Sequence, residues 1–185
     1  MPIGTPFAEV VTAAQAGAAW AFEVLYRDLA PAVTGYLRLH GALEPDDLAS
    51  ETFLGIFVGL AGFRGDEADL RAWVFTIAHR RLVDDWRRRG RRPVLADDDE
   101  RTLRDRGGGD VEEDALTLLG TRAVHEMCDH LPAEQRAVLL LRILADLTVE
   151  QVASVLGKTV GAVKALQRRA LVTLRSELTT QSAPL

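Results

Sequence analysis

The residues from Thr148 to Ala170 constrain this chain more than any others in it. Thr148 and Gln151 have the spacing of a capping box, in which the two side chains satisfy each other's orphan backbone N–H groups. Gly157 then stands where a helix ends in the left-handed conformation that glycine tolerates best. Thr159 offers a second cap. Residues 151–175 hold five cations (Lys158, Lys164, Arg168, Arg169, Arg175) and no acid. An ordinary solvated hairpin carries mixed charge. Two helices, a tight turn and a second helix that carries cations and no acid as far as residue 175 describe instead a helix-turn-helix, whose second helix enters the DNA major groove. Lys164, Gln167, Arg168 and Arg169 are the candidate readers, since arginine and lysine suit guanine edges and glutamine suits adenine. Those that touch only phosphates would set register without reading sequence.

A chain of 185 residues can bury one or two small cores. Hydrophobic residues make up 48% of it, strand formers are sparse and no alternating pattern runs far, so the predicted class is all-α. Cys128, the single cysteine, has no partner within the chain, which fits a reducing cytoplasm. No apolar run reaches the roughly 18 residues of a membrane span. The first residues lack the order of a signal peptide. A cytoplasmic protein with no membrane insertion is expected.

The net charge of −5 looks wrong for a nucleic-acid binder until it is mapped. Residues 79–92 hold seven arginines against Asp84 and Asp85, a local +5. Residues 151–175 hold another +5, whereas residues 97–114 hold nine acids and three arginines, a local −6. Salt screens exposed charges beyond roughly 8–10 Å, so local fields decide phosphate contact. Most of the acid lies in a linker over 93–110, which opens on Pro93, runs through Asp97, Asp98, Asp99 and Glu100, and closes on three glycines. It carries too little apolar area to offset its ordering entropy. The expected plan is two helical domains, over 1–92 and 111–178, joined by this flexible acidic linker and followed by a short tail over 179–185.

Within the first domain helices are expected over 7–17, 19–39, 44–60 and 70–89, with a loop over 61–69. Trp20, Val24, Leu25 and Leu29 form an apolar stripe, and Pro31 is expected to kink or divide the second helix. Pro45 suits a first helical turn. Leu48, Phe53, Leu54, Phe57 and Leu60 are assigned to the core, with Asp47, Ser50 and Glu51 on the opposite side. The second domain is expected to hold helices over 111–129 and 132–145 before the helix-turn-helix. In its last helix Val163, Leu166, Ala170 and Leu174 are spaced to bury one side.

Two further constellations carry chemistry. Phe63, Arg64, Trp73, Phe75, His79, Arg80, Arg81, Trp86 and Arg87, Arg88 and Arg89 interleave rings with guanidinium groups. That mixture suits a single strand, whose bases stack on rings while arginines track its backbone. The plainer alternative places Trp73 and Phe75 in the core and leaves the arginines as a solvated helix end. Asp46, Asp47, Ser50 and Glu51 read, taken alone, as a solvated acidic face near a helix N-terminus. His125 and Cys128 are two potential ligands, too few for a zinc site. There is no phosphate-cradling glycine loop and no G-x-S-x-G, and Asp84 and Asp85 point apart on a helix. No enzyme, metal or cofactor is expected.

The order of these motifs resembles one family. Leu25-Tyr26, Asp47-Leu48 with Glu51 and Phe53-Leu54, Phe63-Arg64-Gly65, Trp73 to Ala78, then Asp84 and its arginines resemble region two of extracytoplasmic-function sigma factors. Leu131-Pro132, Arg136, Leu140 to Arg142, Leu147-Thr148, Val152-Ala153, Leu156-Gly157, Val160 to Lys164 and Arg169 to Leu171 resemble their region four. The resemblance implies a chain that binds core RNA polymerase and directs it to promoter DNA. It implies that Asp47, Ser50 and Glu51 dock on the clamp of the largest polymerase subunit. It assigns Phe63, Arg64, Trp73, Arg80, Arg81, Arg87 and Arg88 to the melted minus-ten element. It assigns Lys164, Ala165, Gln167, Arg168 and Arg169 to the duplex minus-thirty-five element. Ser50 stands where the family often has glutamine, and Arg80 where it often has asparagine. An anti-sigma factor is a further partner that the resemblance allows. Two other classes compete: a dimeric helix-turn-helix regulator of palindromic operators, and a sigma-like decoy that titrates an anti-sigma factor without touching DNA.

Overall fold

The structure, a computed structural model, describes residues 6–90 and 130–181, with side chains as far as residue 176. Among these residues there are seven α-helices, one 3-10 turn and no strand. The first half comprises α1 (Phe7–Gln15), α2 (Ala19–Leu39), α3 (Pro45–Gly59), the 3-10 turn Leu60–Gly62 and α4 (Glu67–Arg88). The second comprises α5 (Ala133–Ile143), α6 (Val149–Leu156) and α7 (Val160–Gln181). The all-α expectation holds. The linker, the helix expected over 111–129, His125 and Cys128 lie outside the described residues.

α2 buries Ala21, Leu25, Leu29, Val33 and Leu37 at four-residue steps, with Tyr36 alongside. Trp20 was assigned to that stripe but lies one residue off it and is 47% exposed. Pro31 neither divides nor ends the helix. It and Arg27, whose carbonyl loses its helical donor, both face solvent, so water can replace the lost bond. α3 starts on Pro45 and buries Leu48, Ala49, Thr52, Phe53 and Ile56. Leu54, expected in the core, is instead 65% exposed, because the buried stripe 49–53–56 leaves it on the outer side.

α4 begins three residues earlier than expected. Asp66 accepts from the Asp69 N–H at 2.9 Å and Asp69 accepts from the Asp66 N–H at 3.1 Å, a capping box built from two aspartates. The same helix is tied to α2 by Arg71, whose Nη2 reaches Asp28 at 2.7 Å and Glu67 at 3.4 Å.

In the second half the expected signals hold. Thr148 and Gln151 form the capping box of α6, Gly157 ends it at φ 62°, and the Ala162 N–H donates to Thr159 Oγ1 at 3.2 Å. The two halves also pack on one another. One buried cluster runs from Val10 through Phe75 to Val138, Leu141, Val152 and Val163. Arg136 Nη1 donates to the carbonyl of Leu39 at 3.2 Å, one of the orphan carbonyls at the end of α2. Gln151 Nε2 donates to the Ala68 carbonyl at 3.1 Å. The physical reason is that each half has an apolar face beyond its own needs, and facing each other removes both from water.

A polar knot lies in this shared core. Tyr36 Oη and His79 Nδ1 are 2.8 Å apart, and His40 packs against the rings of Tyr36 and Trp86. Burial raises the Tyr36 hydroxyl pKa and lowers that of His79. His40 is pushed down to about 3, first by burial, then by repulsion from His79 and Arg136. His40 Nε2 has no hydrogen-bond partner among the described residues, consistent with a neutral ring. Both histidines are harder to protonate folded than unfolded. The stability they allow is therefore present above the unfolded pKa near 6.5 and falls as pH drops below it. Below that point each ring still neutral in the fold costs about 1.4 kcal/mol per pH unit. Thermal melts from pH 7.5 to 5 should show this fall, and His40→Leu should make it shallower. An unchanged slope in that variant refutes the assignment.

Candidate nucleic-acid interface and docking face

Local helix periodicity decides which side chains of α7 are available. Val163, Leu166 and Ala170 are buried. Lys164, Arg168 and Arg169 are consequently exposed, with Ala165 and Gln167 half-buried beside them. Lys158 is turned away and ion-paired to Glu134 at 2.6 Å. The predicted readers thus form one continuous face, with Lys164 and Arg168 one helical turn apart.

The aromatic and arginine cluster divides. Phe75 is fully buried and belongs to the core. Phe63 is also buried, and its ring stacks on that of Trp73 with centroids 5.5 Å apart and planes inclined by 26°. Trp73, for which the sequence left base contact and core packing both open, is half-buried. Trp73 in turn lies over Gly59, where a Cβ would come within 2.9 Å of its ring. Arg64 remains exposed, and its Nη1 donates to the carbonyls of Ala61 at 3.1 Å and Phe63 at 2.6 Å. Arg80 is exposed. Arg81 is half-buried and pairs with Glu51 at 3.5 Å, joining a residue expected to touch DNA to one expected to touch a protein. Arg87 pairs with Asp84 at 3.6 Å, and Arg89 with the buried Asp85 at 2.8 Å. Exposed pairs such as Arg87–Asp84 contribute little to folding and exchange readily for a phosphate.

The turn after the 3-10 segment depends on Gly65. Its φ is +153°, and a Cβ there would lie 2.7 Å from the Cβ and Oδ2 of Asp69. Gly65→Ala should therefore break the two-aspartate capping box and cost about 1–3 kcal/mol. Thermal denaturation checks this, and a variant as stable as the parent would show that the turn relaxes freely.

α3 presents a second face. Asp47, Ser50 and Glu51 are all exposed, as the sequence indicated. The same stripe continues into apolar residues that sequence reasoning missed: Leu54 and Val58, the latter 85% exposed. Extending the series 47–51–54–58 along one helical side would have found them. Tyr26, exposed and in edge contact with Phe53, borders this stripe.

Residues 25–92 match the protein family described as Sigma-70 region 2, and residues 121–174 match Sigma-70, region 4. The chain is 30% identical over 177 residues to the ECF RNA polymerase sigma factor SigD of Mycobacterium tuberculosis, covering 91% of this chain and 82% of that one. It is 35% identical over 168 residues to the ECF RNA polymerase sigma factor BldN of Streptomyces coelicolor, covering 90% of this chain and 63% of that one. Among solved structures it shares the fold of a chain in the complex of CnrH with the cytosolic domain of CnrY. That match has a TM-score of 0.66 at 23% identity, and covers 95% of this chain and 99% of that one.

Proposed function

The chain belongs to the sigma-70 family of RNA polymerase sigma factors, in its extracytoplasmic-function group, and from that premise we propose how its surfaces divide the work of initiation. As an alternative sigma factor it binds core RNA polymerase and directs it to promoter DNA. The outer stripe of α3, from Asp47 through Ser50 and Glu51 to Leu54 and Val58, docks on the polymerase. The acids supply complementarity and on-rate, and the apolar end supplies the desolvated anchor. The Lys164, Arg168 and Arg169 face of α7 enters the major groove of the upstream duplex element, with Gln167 and Ala165 at its edge. The exposed arginines Arg64, Arg80, Arg87 and Arg88, with Arg81, hold the melted downstream strand. Phe63 and Trp73 support that surface from below.

The protein contributes binding free energy and performs no bond chemistry. Unstacking a base step costs a few kcal/mol, and trapping the unstacked base returns part of it, which shifts the duplex towards the open state. Its place of work is the cytoplasm, and no described helix is long and apolar enough to cross a membrane.

The observation that carries this reading is the acid-free, exposed cationic face of α7, on the second helix of a helix-turn-helix, in a chain that also carries region two. The test is transcription with purified core polymerase on genomic fragments, followed by sequencing of RNA 5′ ends. Discrete starts that share upstream sequence elements are expected, together with weak duplex binding by the isolated chain. A chain that does not associate with core polymerase, or that yields no starts above core alone, ends the proposal.

A further inference from the structure

α1 is absorbed by none of the surfaces above, yet it reaches the turn that carries Arg64. Gln15, the last residue of α1, donates through Nε2 to two carbonyls 45 and 48 residues away. These are Leu60 at 3.0 Å and Phe63 at 2.9 Å. Leu60 and Phe63 bracket the 3-10 turn, and the Phe63 N–H itself donates to the Leu60 carbonyl at 3.0 Å. The Phe63 carbonyl therefore accepts from Gln15 on one side and from Arg64 Nη1 on the other. One amide sets the spacing of the turn and, through a shared acceptor, the position of the guanidinium beside it. A groove of about 450 Å³ runs between α1 and the turn, walled by Phe7 and Val11 on one side and Arg64 to Asp66 on the other.

We infer that Gln15 is a positioning residue for strand capture: it holds the 60–65 turn, and with it Arg64, in the shape that receives an unstacked base. This rests on the assignment of Arg64 to the melted strand. The chemistry requires a side chain that donates two hydrogen bonds from one nitrogen at this reach. Glutamine has that amide, glutamate lacks the donors, and methionine fills the same volume without them. Losing the donors leaves the turn's carbonyls to find other partners and frees Arg64 from a fixed position, without removing apolar area from the core.

The experiment compares holoenzyme formed with the parent chain, Gln15→Met and Gln15→Glu on one promoter, once as closed duplex and once as a pre-melted bubble. Opening is read by permanganate reactivity of unpaired thymines, and affinity for core polymerase is read separately. Both variants should open the duplex about tenfold less, from the loss of two hydrogen bonds of ordinary net strength. Retention of the bubble, read as competitor-resistant complex, should fall by a similar factor because the lost step is capture of the unpaired strand, and affinity for core should stay within about twofold, as for a side chain remote from the docking stripe. Gln15→Met opening the duplex like the parent overturns the inference. So does an undiminished retention of the bubble, or a loss accompanied by equally weaker core binding, which is the signature of general misfolding. If the parent holoenzyme itself opens no promoter, the strand-capture assignment falls and this inference falls with it. That outcome is distinct, because no variant is needed to see it.

Discussion

Replacing Lys164 and Arg168 together by alanine should reduce promoter-directed transcription about a hundredfold, given about 1–3 kcal/mol for each groove contact. Both side chains are exposed and one turn apart, on the side of α7 opposite the buried Val163, Leu166 and Ala170. Their removal exposes no apolar area and leaves no buried partner unpaired, so the melting temperature should hardly move. Affinity for core polymerase should also be unchanged, because the docking stripe proposed above lies on α3. The salt dependence separates two roles. Loss of a phosphate contact weakens all sequences alike and flattens the salt slope, whereas loss of a base contact relaxes preference at one position. Transcription from a set of upstream-element variants reads both. Unaltered initiation by the double variant would remove α7 as the reader.

The second large effect is expected on α3. Leu54→Glu with Val58→Glu should weaken binding to core polymerase about a hundredfold, since each places a charge in what would be a desolvated anchor worth about 2 kcal/mol or more. Val58 is among the most exposed apolar side chains described, so the free chain should fold as before. Most of the loss should appear as faster dissociation, while neutralising Glu51 should act mainly on association and its salt dependence. Glu51 is also the partner of Arg81, so on the proposed assignment its removal should free a cation towards DNA while weakening protein docking. Competition for core polymerase against the double variant is the direct measurement. Parent-like affinity in that variant would place the docking face elsewhere.

The parts of this molecule that were legible in its sequence are those governed by neighbours a few residues apart. The Thr148–Gln151 box, the Gly157 stop and the Thr159 cap were readable because each motif's hydrogen bonds close within one turn. The basic face of α7 followed from period 3.6 alone. Where local signals mislead, a less common local variant stands in for the usual one. The start of α4 rests on an aspartate pair in place of the commoner threonine–glutamate form. Pro31 is carried by a solvent-facing side of α2, and Leu54 falls on the outer side of α3. None of these required a new principle, only knowledge of which side of the helix is covered.

Helix class, the order of the helices, their caps and the sign of each charged face were determined by the sequence itself, because these depend on interactions spanning no more than a turn or two. Tertiary structure alone decided which rings remain available: Phe63 and Trp73 stack on each other. It alone brought Glu51 to Arg81, Gln15 to the 60–65 turn, and the second half onto the end of α2 through Arg136 and onto α4 through Gln151. Those contacts join residues from 10 to 97 positions apart. Their formation depends on which apolar faces meet when the whole chain leaves water, and no local pattern encodes that choice.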